Sequence, residues 1–306
     1  MNLSVSIADI KMKNPVTTAA GTFGDGSQFG DFIDVSRIGA IIAKGASLEP
    51  WKGNPPHRLV ETPSGMLNSI GLQNDGVEGF IREKLPRLLK HRVPIIVGVF
   101  DKTPENYARI VKRLNREKGI SGFEINLSCP NLEKGGKTFC DYPELVKEVV
   151  GAIRKATDLP IIAKLSPNVT DIVAIAKSAR DAGADALSLI NTLVGMRINI
   201  KTREPYLAKN TGGLSGPAIR PVALAKVFLV SEARLEIPII GMGGIQTAED
   251  AIEFLLAGAS AVAIGTANFV NPRATLDVLE GIEQYMRENS VNDINDLIGA
   301  VRAHSQ

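Results

Sequence analysis

The chain has 306 residues, of which 44% are hydrophobic, 22% charged and 5% aromatic. Its 35 Lys and Arg against 33 Asp and Glu leave a net charge of +2, too little to gather nucleic acid or an anionic membrane. Two cysteines, Cys129 and Cys140, make a disulfide framework unexpected and a reducing, cytoplasmic compartment the better expectation.

The first residues, MNLSVSIADIKMKNP, lack the basic start and apolar run of a signal peptide and read as a hairpin ahead of the main fold. Short β-branched runs follow at Val16–Ala20, Ala40–Lys44 and Ile95–Phe100. Thr103-Pro104-Glu105 then offers a helix N-cap with proline at the first helical position. A strand at Gly122–Ser128 precedes a helix in which Leu145, Val149 and Ile153 recur every four residues beside Val146 and Val150. Asp141 with Glu144 reads as the capping box of that helix. Strands at Ile161–Ser166 and Ala186–Thr192 flank a helix with Thr170 as N-cap. Strands at Pro238–Gly244 and Ala261–Thr266 flank another, opened by Thr247 and closed by Gly258. Residues 254–272 carry no charge, but Gly258, Ser260, Gly265, Thr266 and Asn268 break them into helix end, turn and strand rather than a membrane span.

Continuous apolar strands suit a parallel sheet covered on both faces. Eight of them alternating with helices predict one (β/α)₈ TIM barrel domain over residues 1–306. A doubly wound open sheet is the competing architecture, weakened because no G-x-G-x-x-G follows the first strand. Residues 46–75, 129–140 and 193–216 are too long for simple connections. In the last, Ile198, Ile200, a turn near Glu204-Pro205 and Tyr206 read as a hairpin. Each interval follows a strand, so these insertions should crowd the C-terminal face, where barrel enzymes keep their sites.

Polar residues collect at the strand ends: Lys44, Asn126, Ser128, Cys129, Lys164, Asn191, Thr192, Gly243, Gly244, Gly265 and Thr266. A lysine buried there needs an acceptor. The glycines of GMGG (241–244) and AIGT (263–266) fit either tight turns or a phosphate held by backbone N–H groups. A phosphate with two lysines and several amides suits a phosphorylated flavin or a sugar phosphate. Lys164 could stabilise a reduced flavin, anchor a substrate carboxylate or form a Schiff base. Cys129 could be a packed thiol, but its place past a strand end, before Pro130 and a polar segment with Gly135-Gly136, suits a proton acceptor on a lid. His57 and His91 read as surface residues and His304 lies in the tail, which argues against a Cys–His nucleophile. No ligand spacing points to a metal, and two cysteines cannot hold an iron–sulfur cluster. Cys140 reads as structural, with redox pairing to Cys129 the lesser alternative.

Several segments together resemble the class 1 dihydroorotate dehydrogenases. They are GMLNSIGLQN (65–74), NLSCPN (126–131), KLSPNVTDI (164–172), INTLVGMR (190–197), GGLSGPAI (212–219), IIGMGGI (239–245) and AVAIGTANF (261–269). NTLVGMR and GGLSGPAI look more like the 1B subtype than 1A. The resemblance implies an FMN-containing barrel that oxidises dihydroorotate to orotate in pyrimidine biosynthesis. It makes Cys129 the base for the C5 proton, with the C6 hydride passing to flavin N5. For FMN it implies Ala20, Gly21, Lys44, Gly45, Asn126, Lys164 and Ile190, with Gly216, Gly243, Gly244, Gly265 and Thr266 on the phosphate and ribityl chain. For substrate it implies Lys44 on the carboxylate and Asn68, Ser69, Ile70, Gly71 and Leu72 around the ring. Asn126, Asn131, Asn191 and Thr192 would bond the pyrimidine edge.

Two positions depart from the family pattern. Ala20 stands where serine is common, and Gly98 where asparagine is common, so two flavin contacts are in doubt. The 1B resemblance also implies a self-dimer within a heterotetramer, whose second subunit carries FAD and a [2Fe–2S] cluster and passes electrons to NAD⁺. The alternatives are a 1A-type homodimer that reduces fumarate, a dihydropyrimidine-oxidising flavin barrel and a non-catalytic phosphosugar-binding barrel.

Overall fold

The computed structural model describes residues 1–128, 130–131 and 137–302, with only the backbone described at Pro130, Asn131 and Lys137. Its centre is an eight-stranded parallel sheet. The strands are β1 (Val16–Thr18), β2 (Ile41–Ala46), β3 (Ile95–Val99) and β4 (Ile120–Asn126), then β5 (Ile161–Lys164), β6 (Ala186–Leu189), β7 (Ile239–Met242) and β8 (Ala261–Ile264). They pair in the order β1-β8-β7-β6-β5-β4-β3-β2. This is the expected barrel, not an open doubly wound sheet.

The seam between β1 and β2 is closed partly by side chains. Gly39 N donates to Val16 O at 2.8 Å. Thr17 Oγ1 donates to Ala40 O at 2.8 Å, and Thr18 Oγ1 accepts from Ile42 N at 3.2 Å. Both threonines are fully buried, so their hydroxyls satisfy backbone groups that water cannot reach.

Helices cover the outside because their apolar faces match the sheet. Pro104–Leu114 starts at Thr103, whose side chain accepts from Asn106 N, and buries Tyr107, Ile110, Val111 and Leu114. Pro143–Arg154 buries Leu145, Val146, Val149, Val150 and Ile153, as the four-residue spacing requires. Its cap differs from the expectation. Pro143 takes the first helical position and extended Tyr142 is the N-cap. Asp141 therefore falls outside the helix and forms its capping box with Thr138, around the 3₁₀ turn Phe139–Asp141. Thr170 is displaced likewise: Asp171 caps Ile172–Asp181, accepting from Val173 N at 2.9 Å and Ala174 N at 3.0 Å. A carboxylate at a helix start also complements the helix dipole. Thr247 caps Ala248–Leu256 with a capping box to Asp250, and Gly258 follows its end at φ 110°.

The N-terminal hairpin pairs Val5–Ile7 with Ile10–Met12. Ile10 lies against Gly122, near the start of β4, so the hairpin sits at the barrel end away from the strand tips. Two long insertions meet at the other end as one four-stranded antiparallel sheet, ordered Leu193–Met196, Thr211–Ser215, Gly65–Asn68, Leu59–Thr62. The hairpin expected within 193–216 is present, but Glu204–Pro205 is one of its strands, paired with Ile198–Asn199, and the turn lies between them. Among the described residues no helix is long and apolar enough to cross a membrane. Residues 254–272 divide into the end of Ala248–Leu256, β8 and the short helix Ala267–Val270.

Thr17→Val keeps the shape of the seam but leaves Ala40 O buried without a donor. It should lower the unfolding free energy by about 1–3 kcal/mol in urea titration. Unchanged stability would show that the seam does not depend on this bond.

Candidate active site

All eight strand tips open into one cleft of about 1350 Å³, roofed by the insertion sheet. Pockets for a single small ligand run to about 300–1,000 Å³, so this one has room for more than one. Its walls take Ala20 and Gly21 after β1, Lys44 and Gly45 in β2, and Asn126 and Lys164 at the ends of β4 and β5. Ile190, Asn191 and Thr192 follow β6; Gly243 and Gly244 follow β7; Gly265 and Thr266 follow β8. The insertions add Asn68, Ser69, Ile70, Gly71, Leu72 and Gly216. Cys129 lies outside the described residues, as does the side chain of Asn131; the neighbouring Ser128 lines the cleft.

A bulge positions Lys44. The pairing of β2 with β3 slips between Ala43 and Ala46, so one extra residue is accommodated there. Gly98 makes this possible: a Cβ at 98 would stand 2.9 Å from Gly45 Cα. The glycine that departs from the family pattern is thus tied to the backbone course of Lys44-Gly45. Burial pushes the half-buried Lys44 ammonium below its ordinary range; Lys84 adds to this and Asp75 opposes it. Among the described residues Lys44 has no hydrogen bond or ion pair, so an anion in the cleft would supply what it lacks.

The amides are preset. Asn126 Oδ1 accepts from Ser128 N at 3.1 Å and from Asn191 Nδ2 at 3.2 Å. Asn191 Oδ1 accepts from Thr192 N at 2.8 Å. With its oxygen engaged, Asn126 has its own amide N–H groups to offer a ligand carbonyl. Tyr107 Oη anchors the same strand end by donating to Asn126 O at 2.7 Å. Asn168 ties down the next loop, donating to Thr192 O at 2.9 Å and accepting from Val194 N at 3.0 Å.

Gly243 and Gly244 have φ of 127° and 80°, a region where a side chain is strained. A Cβ at 244 would also lie 2.8 Å from Gly216 O. These glycines let the backbone after β7 approach closely the segment that begins at Gly216. Thr266 Oγ1 donates to Ser215 Oγ at 2.8 Å across the same wall. Two cleft hydroxyls, Thr62 Oγ1 and Ser128 Oγ, are buried without a hydrogen-bond partner among the described residues. Such groups cost about 1–3 kcal/mol each until something pairs with them.

Sequence reasoning missed Glu124. It is inward-facing on β4, lines the cleft, and pairs with Lys164 at 3.3 Å with 1% of its side chain exposed. Its acidic character within an apolar run was the available signal. Cys140 is fully buried and accepts from Ser166 N at 3.4 Å, joining the segment after β4 to the end of β5. Burial pushes its thiol up from 9.0 to about 12, which suits a structural residue. His57 is exposed; His91 is half-buried, with Nε2 2.9 Å from Asp25 O.

A family model described as dihydroorotate dehydrogenase matches residues 2–286. The chain is 54% identical to a protein of Geotalea daltonii named dihydroorotate dehydrogenase B (NAD(+)), catalytic subunit, covering 98% of each. It is 53% identical to a protein of the same name from Pelobacter propionicus, again over 98% of each. With the one from Alkaliphilus metalliredigens identity is 52%, over 98% of this chain and 99% of the relative.

In a Cys129→Ala protein, Cys140 should resist alkylation at about pH 8 and react only on unfolding. Alkylation of the native protein at the rate of a free thiol would contradict its burial. The folded protein holds this proton toward pH 12 while the unfolded chain releases it near 9.0. The Cys140 contribution to stability is therefore complete below pH 9.0 and falls as pH rises toward 12, measurable as declining urea midpoints.

Proposed function

The chain belongs to the dihydroorotate dehydrogenase family, and from that we propose that it oxidises dihydroorotate to orotate in pyrimidine biosynthesis, with electrons going on to NAD⁺ through a partner subunit. One observation carries the reading. Every residue with a described side chain that the sequence implicates in cofactor or substrate binding lines the same cleft.

The residues present fit FMN. The backbone at Gly216, Gly243, Gly244, Gly265 and Thr266 would hold its phosphate and ribityl chain. Ala20, Gly21, Lys44, Gly45, Asn126, Lys164 and Ile190 would surround its ring. When bound, FMN supplies the two-electron acceptor for the hydride leaving substrate C6.

The chain's own groups do the rest. Lys44 meets the substrate carboxylate, which replaces the solvent that burial removes from its ammonium. Asn68, Ser69, Ile70, Gly71 and Leu72 enclose the ring, while Asn126, Asn131, Asn191 and Thr192 match its imide donors and acceptors. Cys129, as thiolate, takes the C5 proton; one proton and one hydride leave, and a C5–C6 double bond forms. The insertion sheet keeps water from the reacting carbons.

The relatives' name, catalytic subunit, supports a divided enzyme. In the proposed assembly a self-dimer of this chain joins subunits that carry FAD and a [2Fe–2S] cluster, in the cytoplasm.

Purified chain should be yellow, and anaerobic dihydroorotate should bleach it. Colourless protein that takes up no added FMN would favour a phosphosugar-binding barrel. Rapid fumarate-dependent turnover without a partner would replace the NAD⁺-linked reading with a 1A-type enzyme. Cys129→Ala should keep FMN and lose most oxidation, whereas Cys129→Ser should work mainly at higher pH, because a hydroxyl is the weaker base. Full activity of the alanine variant would remove Cys129 as base. Lys44→Met should weaken orotate binding by about 10- to 100-fold, on the order of a lost charge-assisted hydrogen bond, followed by flavin absorbance. Equal loss of uracil affinity would count against a carboxylate contact.

A further inference from the structure

The buried carboxylate of Glu124 has no part in the chemistry above. Its Oε2 lies 3.3 Å from Lys164 Nζ, and its Oε1 accepts from Ser188 Oγ at 2.9 Å. Ser188 is fully buried and Lys164 is 7% exposed. The three residues sit on adjacent strands. Lys164 is in register with Ser188, while Glu124 is in register with Ile162. The Glu124 backbone therefore stands two residues nearer the strand starts than that of Lys164.

Stability alone does not call for this arrangement. A well-packed apolar pair is often as stable as a buried ion pair, because both charges must be taken out of water. The ammonium has three donors. Glu124 takes one, and among the described residues no other hydrogen bond or ion pair of Lys164 is present. The remaining donors belong to a side chain that lines the cleft.

We propose that Glu124, steadied by Ser188, is a positioning residue that holds the Lys164 ammonium at the cleft floor for the FMN ring. This rests on the FMN reading above. Glu124 touches Lys164 rather than the cofactor, and its charge balances the lysine so that a cation can be kept in a dry site. Ser188 occupies one carboxylate oxygen and leaves the other for Lys164, which selects a single orientation of the pair.

The test is a coupling measurement on FMN affinity, read by fluorescence quenching when apo-protein is titrated with FMN. Glu124→Gln, which keeps the shape and removes the charge, should raise the FMN dissociation constant about tenfold or more. In a Lys164→Met background the same change should alter it less than about twofold, because coupled residues are not additive. Ser188→Ala should behave alike with a smaller effect, severalfold with Lys164 present and none without it. It also carries the test if Glu124→Gln does not fold. Equal losses in both backgrounds would mean a merely structural role and overturn the proposal, as would unchanged affinity in both single variants. Wild-type apo-protein that binds no FMN would overturn the cofactor reading as well, which separates the two failures.

Discussion

Closure of a parallel sheet is the constraint on which everything else here depends. Parallel strands all finish at the same end, so closing eight of them into a ring brings eight chain segments to one rim. The last gap in that ring, between β1 and β2, is bridged by the hydroxyls of Thr17 and Thr18 as well as by backbone. Without closure, Ala20-Gly21 and Lys44-Gly45 would stand on opposite edges of an open sheet. With it they line one cleft.

The rim then has to carry polar groups at the edge of an apolar barrel. The structure manages this by using each polar group twice. Asn126 orders Ser128 and Asn191 while keeping an amide for a ligand. Lys164 is balanced by Glu124. Lys44 is the exception, half-buried and unpaired among the described residues, so its charge is least stable where an anion would make it most stable. Cys140 shows the opposite use of a thiol: complete burial raises its proton affinity and leaves it to packing.

Much of the architecture was legible because it follows local rules. All eight strands lie where apolar runs placed them, although the ladders stop earlier at several tips. Residues such as Asn191 and Thr192 leave the ladder and line the cleft. Cap positions were less legible, since Asp141 and Thr170 each had a competitor one or two residues away. Tyr142 with Pro143 won in one case and the stronger acceptor Asp171 in the other. The candidate site was legible through its resemblance to a known family, but two of its features were not. Gly98 reads as a lost contact in sequence and turns out to make space for the bulge at Lys44-Gly45. Glu124 reads as an odd acid in a core strand until its partners on β5 and β6 are in view.

The sequence by itself determined the number and order of the eight barrel strands, four of the helices between them, the family, and the residue types gathered at the strand tips. These depend on side-chain periodicity and short motifs, which are properties of neighbouring residues. Only the tertiary structure decided that residues 59–68 and 193–215 form one roof, that Glu124, Lys164 and Ser188 form one buried group, and that Cys140 is sealed. Those are contacts between segments far apart in the chain, chosen by strand register and by the need to pair every buried charge, and no local pattern encodes them.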